Sequence, residues 1–235
     1  SIALKMLNAG REVTLIDPEE PGTGASFGNA GTIAEYAVLP VGSPEIIRQL
    51  PSLLFNKNSP IAIKRSAILS LCPWLIKFLY QSMPKNAARN AQAIASLVQG
   101  SRMRWEELSS QVGGESFLKT DGNIYLYPKE ELLEFGIMDI DKRRQLGLNA
   151  EILNIDELKK LEPKLDLSEG GASFFPDGAY MNDPGKMVKL ILDASIIKGC
   201  QIISQTATKI ERVNDGIKVH LDNQSTIMTN QLVVA

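Results

Sequence analysis

The feature that most constrains this chain is a helix that runs, after a short turn, into an apolar strand ending on an acid. Ile2, Ala3, Met6 and Leu7 recur at helical spacing. Asn8-Ala9-Gly10 closes that helix, and Val13-Thr14-Leu15-Ile16 follows as a strand terminated by Asp17. In a dinucleotide-binding βαβ unit, the acid that holds the adenosine ribose lies about 20 residues after the first Gly of G-x-G-x-x-G, which places that glycine turn upstream of Ser1. Residues 231–235 read as an apolar strand with no turn after it. The expectation is an internal piece of a longer protein.

The segment after Asp17 carries the most chemistry. Taken alone, Asp17-Pro18 also reads as a polar turn after a strand. Gly22, Gly24, Gly28 and Gly31 follow within ten residues, interleaved with Thr23, Ser26 and Asn29. Glycines let the backbone approach a ligand closely, and small polar side chains with free N–H groups bind phosphate or the edge of a flavin. A cofactor cradle explains the whole segment better than a turn does.

Composition excludes several classes. The chain has 235 residues, 44% hydrophobic and 22% charged, enough for one or two domains with a real core. The net charge is −2 and no basic stripe with interleaved aromatics is present, so no nucleic-acid partner is expected. Cys72 and Cys200 lie far apart and His220 is the one histidine, which supports neither a disulfide framework nor a metal site. Both thiols read as buried, and His220 as a solvent-facing strand residue. The apolar stretch 61–80 contains Lys64, Arg65 and Lys77 and is interrupted by Pro73, so it does not read as a membrane span. Trp74, Phe78 and Tyr80 beside basic residues leave two readings, a membrane-surface contact and internal packing, with packing favoured.

Along the chain, residues 45–112 read as helices: one over 45–55, one around Pro73, and one long helix with a buried stripe of Ile94, Leu97, Val98, Trp105 and Leu108. Strands over 116–119 and 123–127 are joined by Asp121-Gly122, a tight-turn pair. A helix follows, acidic early and basic late, stopping at Gly147. Asn154 precedes a short helix, and 170–175 is a strand entering a turn at 176–178. Asp183 is an N-cap with Pro184 in the first turn, and strands are expected at 200–204, 207–213, 216–221, 225–229 and 231–235. This rhythm divides the chain into a nucleotide-binding part (1–44), a helical and antiparallel excursion (45–182) and a return (183–235).

In order along the chain, IALKMLNAGREVTLID, GASFGNAGTI, VLPVGSPEIIRQLPSLLF, PWLIKFLYQSMP, FFPDGAYMNDPGKMV and TATKIERV resemble the FAD-dependent D-amino-acid oxidase superfamily, and within it the bacterial D-amino-acid dehydrogenase branch. The resemblance implies a mixed α/β and α+β fold: a Rossmann-like FAD domain of the glutathione-reductase type with an inserted helical and antiparallel-sheet substrate domain. It implies that Asp17 binds the adenosine ribose, Ser26 reaches the pyrophosphate side, Asn29, Ala30 and Gly31 run along the flavin, and the Ala207 backbone meets adenine. Tyr36 and Tyr180 are candidates for the substrate wall, and the catalytic side chains are expected beyond Ala235. The implied reaction is oxidative deamination of a D-amino acid to a 2-oxo acid and ammonia, with FAD as cofactor and a quinone-type acceptor. Two alternatives stay open: a glycine- or sarcosine-type amine oxidase using oxygen, and a non-catalytic flavin-binding module. A cytoplasmic location, or a peripheral one on the inner face of the cell membrane, accompanies the resemblance. Oligomeric state has no sequence signal.

Overall fold

The computed structural model describes residues 1–48 and 68–234. The expected helix over 45–55 lies, beyond residue 48, outside the described residues, as does the 61–67 part of the apolar stretch with Lys64 and Arg65. The chain forms two compact units with a mixed α/β architecture. Unit 1 comprises residues 1–32, 103–119 and 180–235, and unit 2 comprises 33–102 and 120–179.

In unit 1, helix α1 (Ile2–Asn8) precedes strand β1 (Thr14–Ile16). Strand β1 pairs in parallel with β8 (Gln201–Ile203), Thr14 opposite Gln201 and Ile16 opposite Ile203. The connecting helix α7 (Pro184–Ile197) packs on α1 and buries Met187, Ile191 and Ser195. Its start obeys the sequence: Asp183 caps it by accepting from Lys186 N at 2.9 Å, and Pro184 occupies the first turn, where a missing N–H costs nothing. The chain then forms an antiparallel sheet of β9 (Ala207–Val213), β10 (Gly216–Leu221) and β11 (Thr226–Thr229). Residues 231–234 are not a strand, contrary to expectation: Thr229 Oγ1 accepts from Gln231 N and donates to Gln231 O, turning the backbone off the ladder.

Unit 2 is built on a sheet ordered β4 (Asn123–Tyr127), β6 (Gly171–Phe175), β5 (Glu151–Asn154), antiparallel throughout. Helix α5 (Glu130–Gln145) packs on all three strands. Helix α6 (Ile155–Leu161) starts on a reciprocal cap in which Asn154 accepts from Glu157 N while Glu157 accepts from Asn154 N. Tyr36, Ile140, Ala150 and Phe175 form the core.

Several expectations need correction. The strand β3 (Leu118–Lys119) does not form a hairpin with β4. It pairs with β7 (Ala179–Met181), Leu118 opposite Met181, β2 (Thr32–Ile33) flanks β7 on its other edge, and β4 pairs with β6. The positive-φ residue Gly122 instead bonds through its N–H to Gly178 O, so Asp121-Gly122 changes partners and does not reverse the chain. The long helix is two, α3 (Pro84–Val98) and α4 (Ser101–Val112), parted by Gly100 at φ 75°. Their buried residues are Ala87, Ala91 and Ser109, whereas Leu97 is 76% exposed. The helix α2 (Ile68–Gln81) runs through Pro73, which removes one ladder bond without ending it. Cys200 is buried but Cys72 is exposed. His220 is half-buried, its Nε2 2.8 Å from Glu211 Oε2 on the neighbouring strand. Residues 103–119 group with unit 1, where Gly114 abuts Met187 and Asn182 N donates to Phe117 O.

Candidate functional site

The candidate cofactor site grows from the C-terminal end of β1, where a parallel strand pair leaves room for a ligand beyond its last residues. Asp17 N donates to Ile203 O at 3.1 Å, which anchors the acid at the sheet edge. Its Oδ1 accepts from Glu19 N at 3.0 Å, so the side chain starts the following turn as well as facing the cleft. A cleft of about 1040 Å³, open to solvent, is lined on this side by Asp17, Glu19, Glu20, Gly24 and Ser26, and on the other by α7. Three carboxylates at one end make that end negative. The α7 wall consists of Val188, Ile191, Leu192 and Ser195, with Cys200 beyond it, and burial raises the Cys200 thiol above its ordinary value.

The four loop glycines divide into two pairs. Gly22 has φ +92° and a Cβ there would stand 3.1 Å from Gly185 O; Gly31 has φ +64° and a Cβ there would stand 2.0 Å from Met181 O. These two are glycine because protein backbone lies against them. Gly24 and Gly28 have nothing within 4 Å of the Cβ position, so they face open space. Asn29 holds the loop from within, donating from Nδ2 to Ala25 O at 3.2 Å and accepting at Oδ1 from Gly31 N at 2.7 Å. Met181 N donates to Gly31 O at 2.8 Å and closes the loop on β7.

The cleft therefore brings together Asp17 and Ser26 of the expected residues, while Asn29, Ala30, Gly31 and Ala207 are not among its walls. Ala207 opens β9, and a bulge there leaves Thr208 unpaired between the Lys209–His220 and Ala207–Leu221 pairs. Tyr180 is half-buried and paired with Lys119. Tyr36 belongs to unit 2 and is 4% exposed, stacked on Phe175 at 4.1 Å and 10° with Tyr125 edge-on at 5.4 Å. Burial first, then Tyr125, pushes its phenol above the usual tyrosine range.

Sequence reasoning missed the α7 wall. The helical stripe of Met187, Ile191 and Ala194 was legible, but which residues beside it face a ligand depends on where α1 and β8 sit. It also missed Glu35, whose carboxylate accepts from Gly100 N and from Arg102 N at 2.5 and 3.2 Å and so caps α4. Among the described residues no group of His, Cys, Asp and Glu assembles a metal site.

A carboxylate at a strand end, facing a wall of uncharged α7 side chains, can accept hydrogen bonds from the hydroxyls of a ribose, and the neighbouring Glu19 and Glu20 disfavour phosphate at that end. The chain is 27% identical to a D-amino-acid oxidase of Bradyrhizobium diazoefficiens over 99% of its length and 56% of the relative's. Its fold matches a glycine oxidase from Geobacillus kaustophilus with a TM-score of 0.63, 18% identity and coverage of 97% and 50% of the two chains. It matches an L-amino acid deaminase from Proteus vulgaris with a TM-score of 0.65, 18% identity and coverage of 99% and 43%. The chain thus spans about half the length of the relatives it matches. The pattern that defines the FAD dependent oxidoreductase (DAO) family matches residues 1–235, and the chain belongs to that family.

Proposed function

We propose that the protein is a D-amino-acid dehydrogenase-type enzyme that oxidatively deaminates a D-amino acid and passes the electron pair to a quinone-type acceptor. A D-amino acid, water and the oxidised acceptor yield a 2-oxo acid, ammonium and the acceptor carrying two electrons and two protons. The observation that carries the reading is the cleft at the end of β1, with Asp17 at its rim and Gly24 open to it. Bound FAD supplies the two-electron chemistry at the substrate α-carbon. Asp17 accepts hydrogen bonds from the ribose hydroxyls, and Glu19 and Glu20 orient the nucleotide by repelling its phosphates. Ser26 faces the pyrophosphate side, Asn29 shapes the loop so that the Ala30 and Gly31 backbone runs along the flavin, and the bulged backbone at Ala207 meets adenine. In this reading α1, β1, α7 and β8 are part of a Rossmann-like FAD domain, 1–44 and 183–235, with 45–182 as the inserted substrate domain, from which 103–119 pack with unit 1. Tyr180 is the better substrate-wall candidate, because Tyr36 is committed to a core stack. The enzyme works in the cytoplasm or on the inner face of the cell membrane.

The relative named as a D-amino-acid oxidase supports a second reading in which oxygen is the acceptor. The test is to titrate the purified protein and Asp17→Asn with FAD and then mix the holoenzyme with D- and L-amino acids. Asn keeps the acceptor atom for Glu19 N but loses the charge, so FAD affinity should fall by about 1.5–3 kcal/mol. Bleaching of the flavin by D-amino acids with quinone or dye reduction is expected. Peroxide as the product would favour the oxidase, and a colourless protein that never takes up flavin would overturn the enzyme reading.

A further inference from the structure

Helix α5 of unit 2 holds four large apolar side chains in solvent, Leu132 43%, Phe135 53%, Ile137 43% and Met138 50% exposed, more than any other helix among the described residues. Its other side is committed. Gly136, Ile140 and Arg143 are buried where the helix packs on β4, β6 and β5, and a Cβ at Gly136 would stand 2.5 Å from the Tyr127 ring, so the helix lies close on the sheet. Away from that side, Glu131, Phe135, Met138 and Lys142 follow one another at spacings of four, three and four residues and form one outward strip. The strip is acidic at one end and basic at the other. The helix as a whole has the same polarity, with Glu130 and Glu131 in its first turn and Lys142, Arg143 and Arg144 in its last.

We infer that this strip is a self-association surface through which two copies of the chain dock, α5 against α5, antiparallel about a twofold axis. The axis passes between Gly136 and Ile137, a point that is the midpoint of both Phe135–Met138 and Glu131–Lys142. Phe135 of each copy then meets Met138 of the other, and Glu131 of each meets Lys142 of the other. That is the self-complementarity an isologous interface requires. A thioether against an aromatic ring is a favourable pair, and antiparallel helix dipoles attract. A parallel pairing would set Glu130 and Glu131 against their own copies, which like-charge repulsion opposes. Lys142 also reaches Glu45 at 3.2 Å and Asp139 at 4.0 Å within its own chain, but an ammonium carries three donors, so a bond across the axis does not require either contact to break. One helix pair is a small interface, and the dimer should dissociate in the micromolar range. The inference does not rest on the substrate or acceptor proposed above.

The experiment is sedimentation velocity of the purified protein over a concentration series at low and high salt, with melting temperature as the control for folding. The parent protein should form a dimer whose share grows with concentration and shrinks in salt. Glu131→Lys and Lys142→Glu each set like charges across the axis twice over, and each alone should weaken the dimer about tenfold. An equimolar mixture of these two variants should recover the parent's affinity, because every pair across the axis is then opposite in sign. Mixing cannot restore a lost fold, so recovery separates an interface role from a structural one. Phe135→Asp should leave the protein monomeric with its melting temperature unchanged. A parent that stays monomeric at about 100 µM, single variants that dimerise like the parent, or a mixture no better than its components would overturn the proposal. A monomeric parent that Phe135→Asp destabilises would overturn it in favour of a cover from within the same polypeptide.

Discussion

The loop from Gly22 to Gly31 in unit 1 is followed within a few residues by Tyr36 of the Tyr36–Phe175 core in unit 2, yet loop and core are held by opposite means. The loop is held largely by backbone, Gly22 against Gly185 and Gly31 against Met181, with the Asn29 amide the side chain that bonds Ala25 O and Gly31 N. Its side chains are small and mostly exposed, and Phe27 is 75% exposed. The core is held by side chains: Phe175 is 1% exposed, stacked on Tyr36, met edge-on by Tyr125 at 5.3 Å, and covered by the Arg143 guanidinium at 5.4 Å. Arg143 Nε donates to Tyr36 O at 3.0 Å, and its Nη1 lies 3.5 Å from Asp139 Oδ2 without hydrogen-bond geometry. A loop that leaves most of its side chains out of its own packing is free to receive a ligand, whereas a core built from its side chains is not. That contrast is why Asp17 and Ser26 remain site candidates while Tyr36 is better explained by packing.

The sharpest way to break the comparison is Phe175→Ala. Removing a fully buried ring with two aromatic partners and a cation should cost about 3–5 kcal/mol in urea unfolding. A cost below 1 kcal/mol, by roughly the standard of an exposed position, would mean the core is not what holds unit 2. In the loop, Gly31→Val should cost about 3 kcal/mol, since the new Cβ meets Met181 O at a Cβ position only 2.0 Å away and φ is +64°. Gly24→Val, with nothing within 4 Å, should leave stability within about 1 kcal/mol and act on FAD affinity if the cleft is occupied as proposed. Equal destabilisation by the two valines would erase the division between packed and open glycines.

The smallest effect belongs to the β9–β10 surface. Lys209 first, then His220, hydrogen-bonds the Glu211 carboxylate and holds it at about 2, below its ordinary 4.5. A depressed carboxylate stabilises the folded state above its unfolded value, so this contribution is complete above about pH 4.5 and is lost as pH falls from there through about 2. Because the group is exposed, the loss should be small and should shrink in salt. Glu211→Gln should flatten the acid limb of the melting-temperature profile, and an unchanged profile would show that the contact contributes nothing.

Local chemistry was legible wherever a residue acts on its own backbone neighbours. The Asp183 cap with Pro184, the Asn154 cap, the Gly147 stop and the β1 strand ending on Asp17 all follow from short-range geometry, and the structure forms each of them. Pairing was not legible. Asp121-Gly122 is a good turn in isolation, but whether it makes a hairpin depends on β6 and β7, more than forty residues away in the chain.

By itself, then, the order of residues determined that a helix, a strand and an acid at its end stand in succession, that a glycine loop follows, and to which family the chain belongs. Periodicity and caps are one-dimensional facts, so one dimension suffices to find them. Only the tertiary structure decided which glycines are spent on packing and which stay open, that α7 forms the far wall of the cleft, and that Tyr36 is a core residue. Each of these depends on what lies across from a residue in space, and burial and close approach are set by partners that sequence spacing does not bring near.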